Sequence, residues 1–158
     1  MPEPKADRPY MPGYGLEEAK APPGEKLPWS EVVAALAAAR SYWIGTTSPD
    51  GRPHAMPVWG VWLDGALYFS TGDRSRKARN LAADARCAAH VEAGDMAVIL
   101  EGEARPAKDA ATLSPAWAAY KAKYDWPMDN EPMYVLRPRK AISFREDLGE
   151  TATRWRFE

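Results

Sequence analysis

The chain has 158 residues, 46% of them hydrophobic, and 21 lysines and arginines against 22 aspartates and glutamates, a net charge of −1. That length suits one domain, and near neutrality argues against a nucleic-acid partner, which asks for a broad basic excess. One cysteine, Cys87, cannot close an internal disulfide, the longest apolar run (32–39) is far short of the ~20 residues of a membrane span, and no signal-like segment opens the chain, so the expectation is a cytoplasmic protein with no membrane contact.

Residues 1–27 read as an arm and 28–158 as a single domain. Pro2, Pro4, Pro9, Pro12, Pro22 and Pro23, with Gly13, Gly15 and Gly24, leave the arm no periodic face to bury. Disorder is the first expectation for it, and docking through Tyr10, Met11, Tyr14 and Leu16 the second. From Ser30, taken as an N-cap with Glu31 in the first turn, Val32, Val33, Leu36 and Ala37 repeat at helical spacing as far as Arg40.

The period then changes. YWIGTT (42–47) reads as a strand and Ser48-Pro49-Asp50-Gly51 as the turn of a hairpin. Its second strand, RPHAMPVWGVW (52–62), carries Pro53 and Pro57, each of which removes a ladder donor and places it at an edge or a bulge. Asp64-Gly65 is the next tight turn and ALYFST (66–71) the third strand. A short helix is expected over 75–83. CAAHVEA (87–93) and MAVILEGEARPAK (96–108) pair around Gly94-Asp95. Ser114 is taken as an N-cap with Pro115 at the first helical position, which puts Trp117, Tyr120 and Tyr124 on one face. After a loop, 125–132, the segments MYVLR (133–137), KAISFRE (140–146) and TATRWRF (151–157) close the chain as strands. Short antiparallel strands with few helices predict a small barrel.

Chemistry concentrates at STGDRSRKARN (70–80), where Arg74, Arg76, Lys77 and Arg79 fall within six residues. With Ser75 as N-cap, three of these cations crowd a helix start, where the macrodipole disfavours each by about 0.3–1 kcal/mol. Two readings stay open. Free backbone amides, the Ser75 hydroxyl and the cations converge on an external anion, or Asp73 pairs with Arg76 or Lys77. No acid–base or nucleophile set accompanies them: His54 and His90 are the only histidines and read as strand residues, and no metal-ligand spacing exists. Trp59 and Trp62 are candidates to wall a planar ring, although tryptophan in a strand is more often core. On the last strand Arg154 and Arg156 alternate with Thr153, Trp155 and Phe157, so the arginines share one face. That face is either solvated or grips an anion, and there it could also stabilise negative charge developing on a substrate carbonyl.

The run TSPDGRPHAMPVWGVWLDGALYFSTGDRSRKARNLAADAR (47–86) resembles the core of the flavin-binding split-barrel group that includes pyridoxamine 5′-phosphate oxidase. The G-x-P hairpin, the F-x-T strand end and the S-R-K-x-x-x-L helix start carry the resemblance, which extends over about residues 29–158. It implies a mainly β, α+β fold, an antiparallel split β-barrel, with two chains forming a homodimer and FMN or the deazaflavin coenzyme F-420 at each interface. It also implies that Thr71, Ser75, Arg76 and Lys77 hold the cofactor phosphate, and that Met56, Pro57, Val58, Trp59, Ser70, Asn80 and Trp155 line the cofactor. Met56 and Val61 stand where the oxidase carries an arginine and a lysine, and Arg154-Trp155-Arg156 lacks the histidine of its Arg-Leu-His run. The implied activity is therefore that of an F-420- or FMN-dependent oxidoreductase, with hydride moving to or from a small unsaturated or carbonyl-containing molecule. A hydride-carrying cofactor also accounts for a chain without catalytic side chains beyond Arg154 and Arg156, because the cofactor performs the difficult step. The alternative is a non-catalytic binder of a flavin, haem or other planar ligand.

Overall fold

A computed structural model describes residues 3–17 and 26–158. Over these residues the order is β1 (Lys5–Asp7), α1 (Trp29–Ala38), β2 (Tyr42–Thr47), β3 (Pro53–Val58), β4 (Gly60–Leu63), β5 (Ala66–Phe69), α2 (Arg76–Ala83), β6 (Arg86–Ala93), β7 (Met96–Ala107), α3 (Ala110–Tyr124), β8 (Met133–Phe144), α4 (Leu148–Thr151) and β9 (Thr153–Arg156). All pairings are antiparallel and run β1-β9-β8-β7-β6-β2-β3, with β5 joining the early half of β8 and β4 joining β5. The fold is thus mainly β with four helices, an open sheet that curls into a split barrel. None of the described helices is long and apolar enough to cross a membrane.

The alternating strands explain the curl. In β2, Tyr42, Ile44 and Thr46 are buried while Trp43 and Thr47 face out, and β7 buries Met96, Val98, Leu100 and Ala104 in the same way. These inward side chains meet Leu36, Leu67, Phe69, Leu136 and Trp155 in the main core. A second cluster forms where Leu113, Trp117, Tyr120 and Tyr124 of α3 lie on Val61, Tyr68 and Val135.

Several boundaries differ from the sequence reading, each for a local reason. The expected strand 52–62 breaks at Trp59 into β3, an edge strand on β2, and β4, which pairs with β5 instead. Pro57 explains the choice of an edge, since it has no amide to give to a further strand. Segments 133–137 and 140–146 are one continuous β8. Pro138 is accommodated opposite Gly102, where the β7 register shifts, and a Cβ on Gly102 would stand 2.2 Å from the Arg137 carbonyl oxygen. Helix α3 starts four residues before Ser114: Asp109 is the N-cap, its Oδ2 accepting from the Thr112 amide at 2.9 Å, and Pro115 lies inside the helix on an exposed side. Helix α1 begins at Trp29 with Pro28 before it and no side-chain cap. Residues 148–151 form a helical turn, so the last strand is shorter than expected.

The described part of the arm, residues 3–17, docks, and it does so as a strand, while Pro2, Pro22, Pro23 and Gly24 lie outside the described residues. Residues 5–7 add β1 to the free edge of β9, with Asp7 opposite Arg154. Arg8 then donates to the carbonyls of Gly149, Glu150 and Ala152, satisfying the end of α4. Of the four apolar groups expected to anchor the arm, Leu16 is fully buried, whereas Tyr10 and Tyr14 are exposed.

Candidate functional site

Helix α2 follows the buried strand β5 across Ser70–Ser75. Ser75 is its N-cap, extended, with its Oγ accepting from the Ala78 amide at 3.2 Å and meeting Thr71 Oγ1 at 3.1 Å. The cap consumes one amide of the first turn and leaves those of Arg76 and Lys77 without an acceptor among the described residues. No carboxylate lies in that turn.

Lys77 sets this helix start apart from an ordinary solvated face. It is 8% exposed, yet its ammonium makes neither ion pair nor hydrogen bond among the described residues, and burial pushes its pKa down. Asp73 does not pair with Lys77 or Arg76, so the internal-carboxylate alternative is not realised. The carboxylate nearest in influence is Asp50, at the tip of the β2–β3 hairpin. It is held below the usual carboxylate range mainly by the Ser48 hydroxyl, with Arg76 a minor contributor. One turn along α2, Asn80 is fully buried, its Nδ2 donating to Thr46 Oγ1 at 3.0 Å, which ties the helix to β2.

On the far side of β2, against which α2 packs, runs β3. Its residues Pro53, Ala55, Met56 and Pro57 are exposed, Met56 by 47%. A cleft of about 790 Å³ opens across β2, β3, β6 and β7, and Thr46 and His54 are among its lining residues. Its floor is small: Gly45 is the direct cross-strand neighbour of both Ala55 and Ala88. Arg86, Glu101 and Lys140 form a charged rim, in which Lys140 and Glu101 pair at 2.7 Å. Cys87 also lines it, but burial drives its thiol pKa up to about 12, so it is not poised as a nucleophile.

The expected site residues therefore separate. Thr71, Ser75, Arg76, Lys77 and Asn80 gather at the start of α2, with Ser70 leading in and Met56 and Pro57 on the neighbouring edge strand. Val58 turns into the main core. Trp59 sits at the break between β3 and β4, stacked on Tyr124 at 4.6 Å and 2°, with the Arg40 guanidinium 5.4 Å from its ring centre. Trp155 corrects the sequence reading: it is 1% exposed and packs on Trp29 at 5.3 Å, so no face of its ring is left for a cofactor. Arg154 and Arg156 already have an anion. Arg154 grips Asp7 through two bonds of 2.7 and 2.8 Å, and Arg156 approaches the same carboxylate at 3.3 Å. Sequence reasoning missed Asp7, which lies 147 residues away, and Thr46, whose signal would have been its inward place on β2.

The chain's similarities bear on its family and fold. A family model described as pyridoxamine 5′-phosphate oxidase matches residues 29–147. Among solved structures, the conserved hypothetical protein Rv2991 from Mycobacterium tuberculosis is 26% identical with a TM-score of 0.68, over 78% of this chain and 88% of that one. An F-420 reductase is 21% identical with a TM-score of 0.56, over 68% and 93%. A pyridoxamine 5′-phosphate oxidase-related, FMN-binding protein from Nostoc punctiforme is 19% identical with a TM-score of 0.57, over 81% and 88%. Among curated proteins none matches the sequence.

Proposed function

Because the chain belongs to the pyridoxamine 5′-phosphate oxidase family, we propose that it is a homodimeric flavin- or deazaflavin-dependent oxidoreductase, moving hydride between bound FMN or F-420 and a small unsaturated or carbonyl-containing molecule. The observation that carries the proposal is Lys77, a buried cation without a carboxylate at a helix start that offers two free amides. Burial of the Lys77 side chain disfavours its charged form, and a phosphate satisfies ammonium, amides and hydroxyl together. When bound, the cofactor supplies the hydride chemistry.

The chain's own residues bind and orient. Arg76, Lys77, the two amides and Thr71 hold the phosphate, while the floor of Gly45, Ala55 and Ala88 leaves room for a flat ring to lie on the outer face of the sheet. Trp43, 44% exposed, stacks on His90 on that face and extends its apolar area. A second copy covering this face would exclude water from the ring, so light scattering at micromolar concentration is expected to give twice 17.5 kDa. Titration of the purified protein with FMN and with F-420, followed by stopped-flow mixing of the reduced complex with quinone and enone acceptors, tests the reading. Saturable binding with acceptor-dependent reoxidation is expected, and failure of both cofactors to bind would overturn it. The Nostoc punctiforme relative is described by binding alone, which favours a second reading, a flavin carrier, recognised by tight binding without turnover.

A further inference from the structure

We propose that the cavity between α1, the β4–β5 turn and the first described residues of the arm binds a small quaternary ammonium compound. Its lining shares no residue with the phosphate cradle at α2, and the inference does not rest on the cofactor reading.

The cavity has a volume of about 460 Å³, within the roughly 300–1,000 Å³ of small-molecule sites. Half-buried aromatic side chains wall it: Trp29 from the start of α1, Trp62 from β4 and Phe157, just past β9. The ring of Trp62 meets that of Trp29 at 6.3 Å and 72°, and the ring of Phe157 meets it at 5.4 Å and 73°, so both stand across Trp29 rather than flat upon it. Trp62, which the sequence offers as a wall for a planar ring, therefore serves a different recess from Trp59. The charged residues of the lining are Glu3 and Asp64, both exposed at the rim, and no lysine or arginine is among them. Neither carboxylate joins an ion pair among the described residues. Lys5 does not reach in: Ala6 lies beside Trp155 and packs on the core, so its neighbour Lys5 projects from the other face of the sheet.

These walls select the guest by charge and by hydrogen bonding. Ring faces and carboxylates both attract a cation and repel an anion. A primary ammonium brings N–H donors that need acceptors at close range. The buried side-chain atoms still without a partner, Arg8 Nε, His54 Nδ1 and Asn80 Oδ1, belong to other parts of the molecule. A quaternary ammonium has no N–H to satisfy: its methyl groups lie against the indole faces, and the rim carboxylates act on its charge through space. The other exposed aromatic cluster of the described residues makes the contrast. Trp59 and Tyr124 already hold the Arg40 guanidinium at 5.4 and 5.7 Å from their ring centres, so that cluster repels a further cation. Over Trp29, Trp62 and Phe157 the described residues place none.

The test titrates the full chain with choline and with 3,3-dimethyl-1-butanol, which has the same shape and no charge. Binding is followed through the indole N–H resonances, assigned with Trp29→Phe and Trp62→Phe. Saturable choline binding about tenfold tighter than that of the alcohol is expected, with the Trp29 and Trp62 resonances moving. Glu3→Gln combined with Asp64→Asn should erase that preference and leave the alcohol's affinity unchanged, the latter showing that the cavity is intact. Asparagine suits the positive φ of 49° at position 64, so the turn is kept. Trp62→Leu, which keeps an apolar wall, should cut the preference about threefold. Equal affinity of the wild type for both probes would reduce the site to an apolar recess and overturn the proposal, as would a preference that survives loss of both carboxylates. Movement of the Trp59 or Trp126 resonance while Trp29 and Trp62 stay in place would put the cation elsewhere, and ethanolamine binding as tightly as choline would make the guest a primary ammonium. Either result also overturns it. Failure of choline to bind saturably removes the site outright and leaves the cofactor reading untouched.

Discussion

Two clusters of cations look alike as sequence and differ as structure. At the start of α2, Lys77 is buried with nothing negative against it, and its pKa is pushed down by burial. On β9, Arg154 is half-buried too, but the Asp7 carboxylate clasps it through two bonds and its pKa rises, chiefly because of that hydrogen bonding. The first cluster has no counter-charge from the described residues, and an outside anion would supply one. The second has been neutralised by the chain's own arm. A run of basic residues shows where charge gathers, and the distant strand that docks beside it decides whether that charge is free to bind.

The contrast can be broken at the α2 end, where the largest effect is expected. Lys77→Ala should weaken FMN or F-420 binding by about ten- to a hundredfold, the worth of one charge-assisted hydrogen bond, while melting in the absence of cofactor is unchanged or slightly higher. A calorimetric titration and a melting curve on the same variant check both halves, and a loss of stability with unchanged affinity would reverse the assignment. On β9 the signs exchange. Arg154→Ala should cost about 1 kcal/mol of stability and leave cofactor affinity within a factor of about two, because the bidentate pair is partly exposed and screened. Asp7→Asn should cost about the same, and the double variant no more than either single one, as a double-mutant cycle in urea would show.

The arm also has a pH dependence with a definite sign. Hydrogen bonding from Arg154 lowers the Asp7 pKa below its ordinary 3.8. Its contribution is fully present above 3.8 and is lost as pH falls through the folded value. Protection of the Ala6 and Asp7 amides relative to their intrinsic exchange rates should therefore fall selectively as pH drops below about 4. In Arg154→Ala that step should vanish.

Much of this was legible in the sequence, and the parts that were not share a cause. Ser75 as N-cap, the hairpin turn at 48–51, the Asp64-Gly65 turn and the buried face of Trp117, Tyr120 and Tyr124 all rest on neighbours within a few residues, where spacing and turn chemistry speak directly. Positive φ at Asp64 and Gly65 is the conformation that tight turn requires. Legibility failed where a partner lies far along the chain. Thr46 binds Asn80 across 34 positions and Asp7 binds Arg154 across 147. Trp155 alternates with two arginines and so invites a ligand on paper, but the ring of Trp29 had already claimed it. Pro115 misled differently: a good first-turn residue lies mid-helix because Asp109 caps earlier and the lost hydrogen bond faces solvent.

A third cation sharpens the contrast, with the smallest expected effect. Lys123, near the end of α3, has neither a free anion site nor a carboxylate. Its Nζ donates to Tyr42 Oη at 2.9 Å and to the Gly60 carbonyl at 3.1 Å, and lies over the rings of Tyr42 and Tyr124. Neutral acceptors offset only part of what burial removes, so burial, with Arg40 adding repulsion, pushes its pKa down from 10.5 to about 8. The unfolded chain therefore holds this proton more tightly than the folded one between about pH 8 and 10.5, and across that window the contribution of Lys123 to stability rises with pH. Cys87 and Tyr42 act in the opposite sense: burial holds their protons in the fold above the ordinary 9.0 and 10.0 at which the unfolded chain releases them, so their contributions fall as pH rises through those values. The melting temperature of the wild type relative to Lys123→Met should therefore climb modestly from pH 8 to pH 10, since the Cys87 contribution is common to both. Lys77 adds to the same rise, because its pKa is lowered too, but saturating cofactor should suppress only the Lys77 share by giving it a counter-charge. A slope that disappears entirely on cofactor binding would assign the whole cost to Lys77. One that ignores cofactor would mean that no phosphate reaches it.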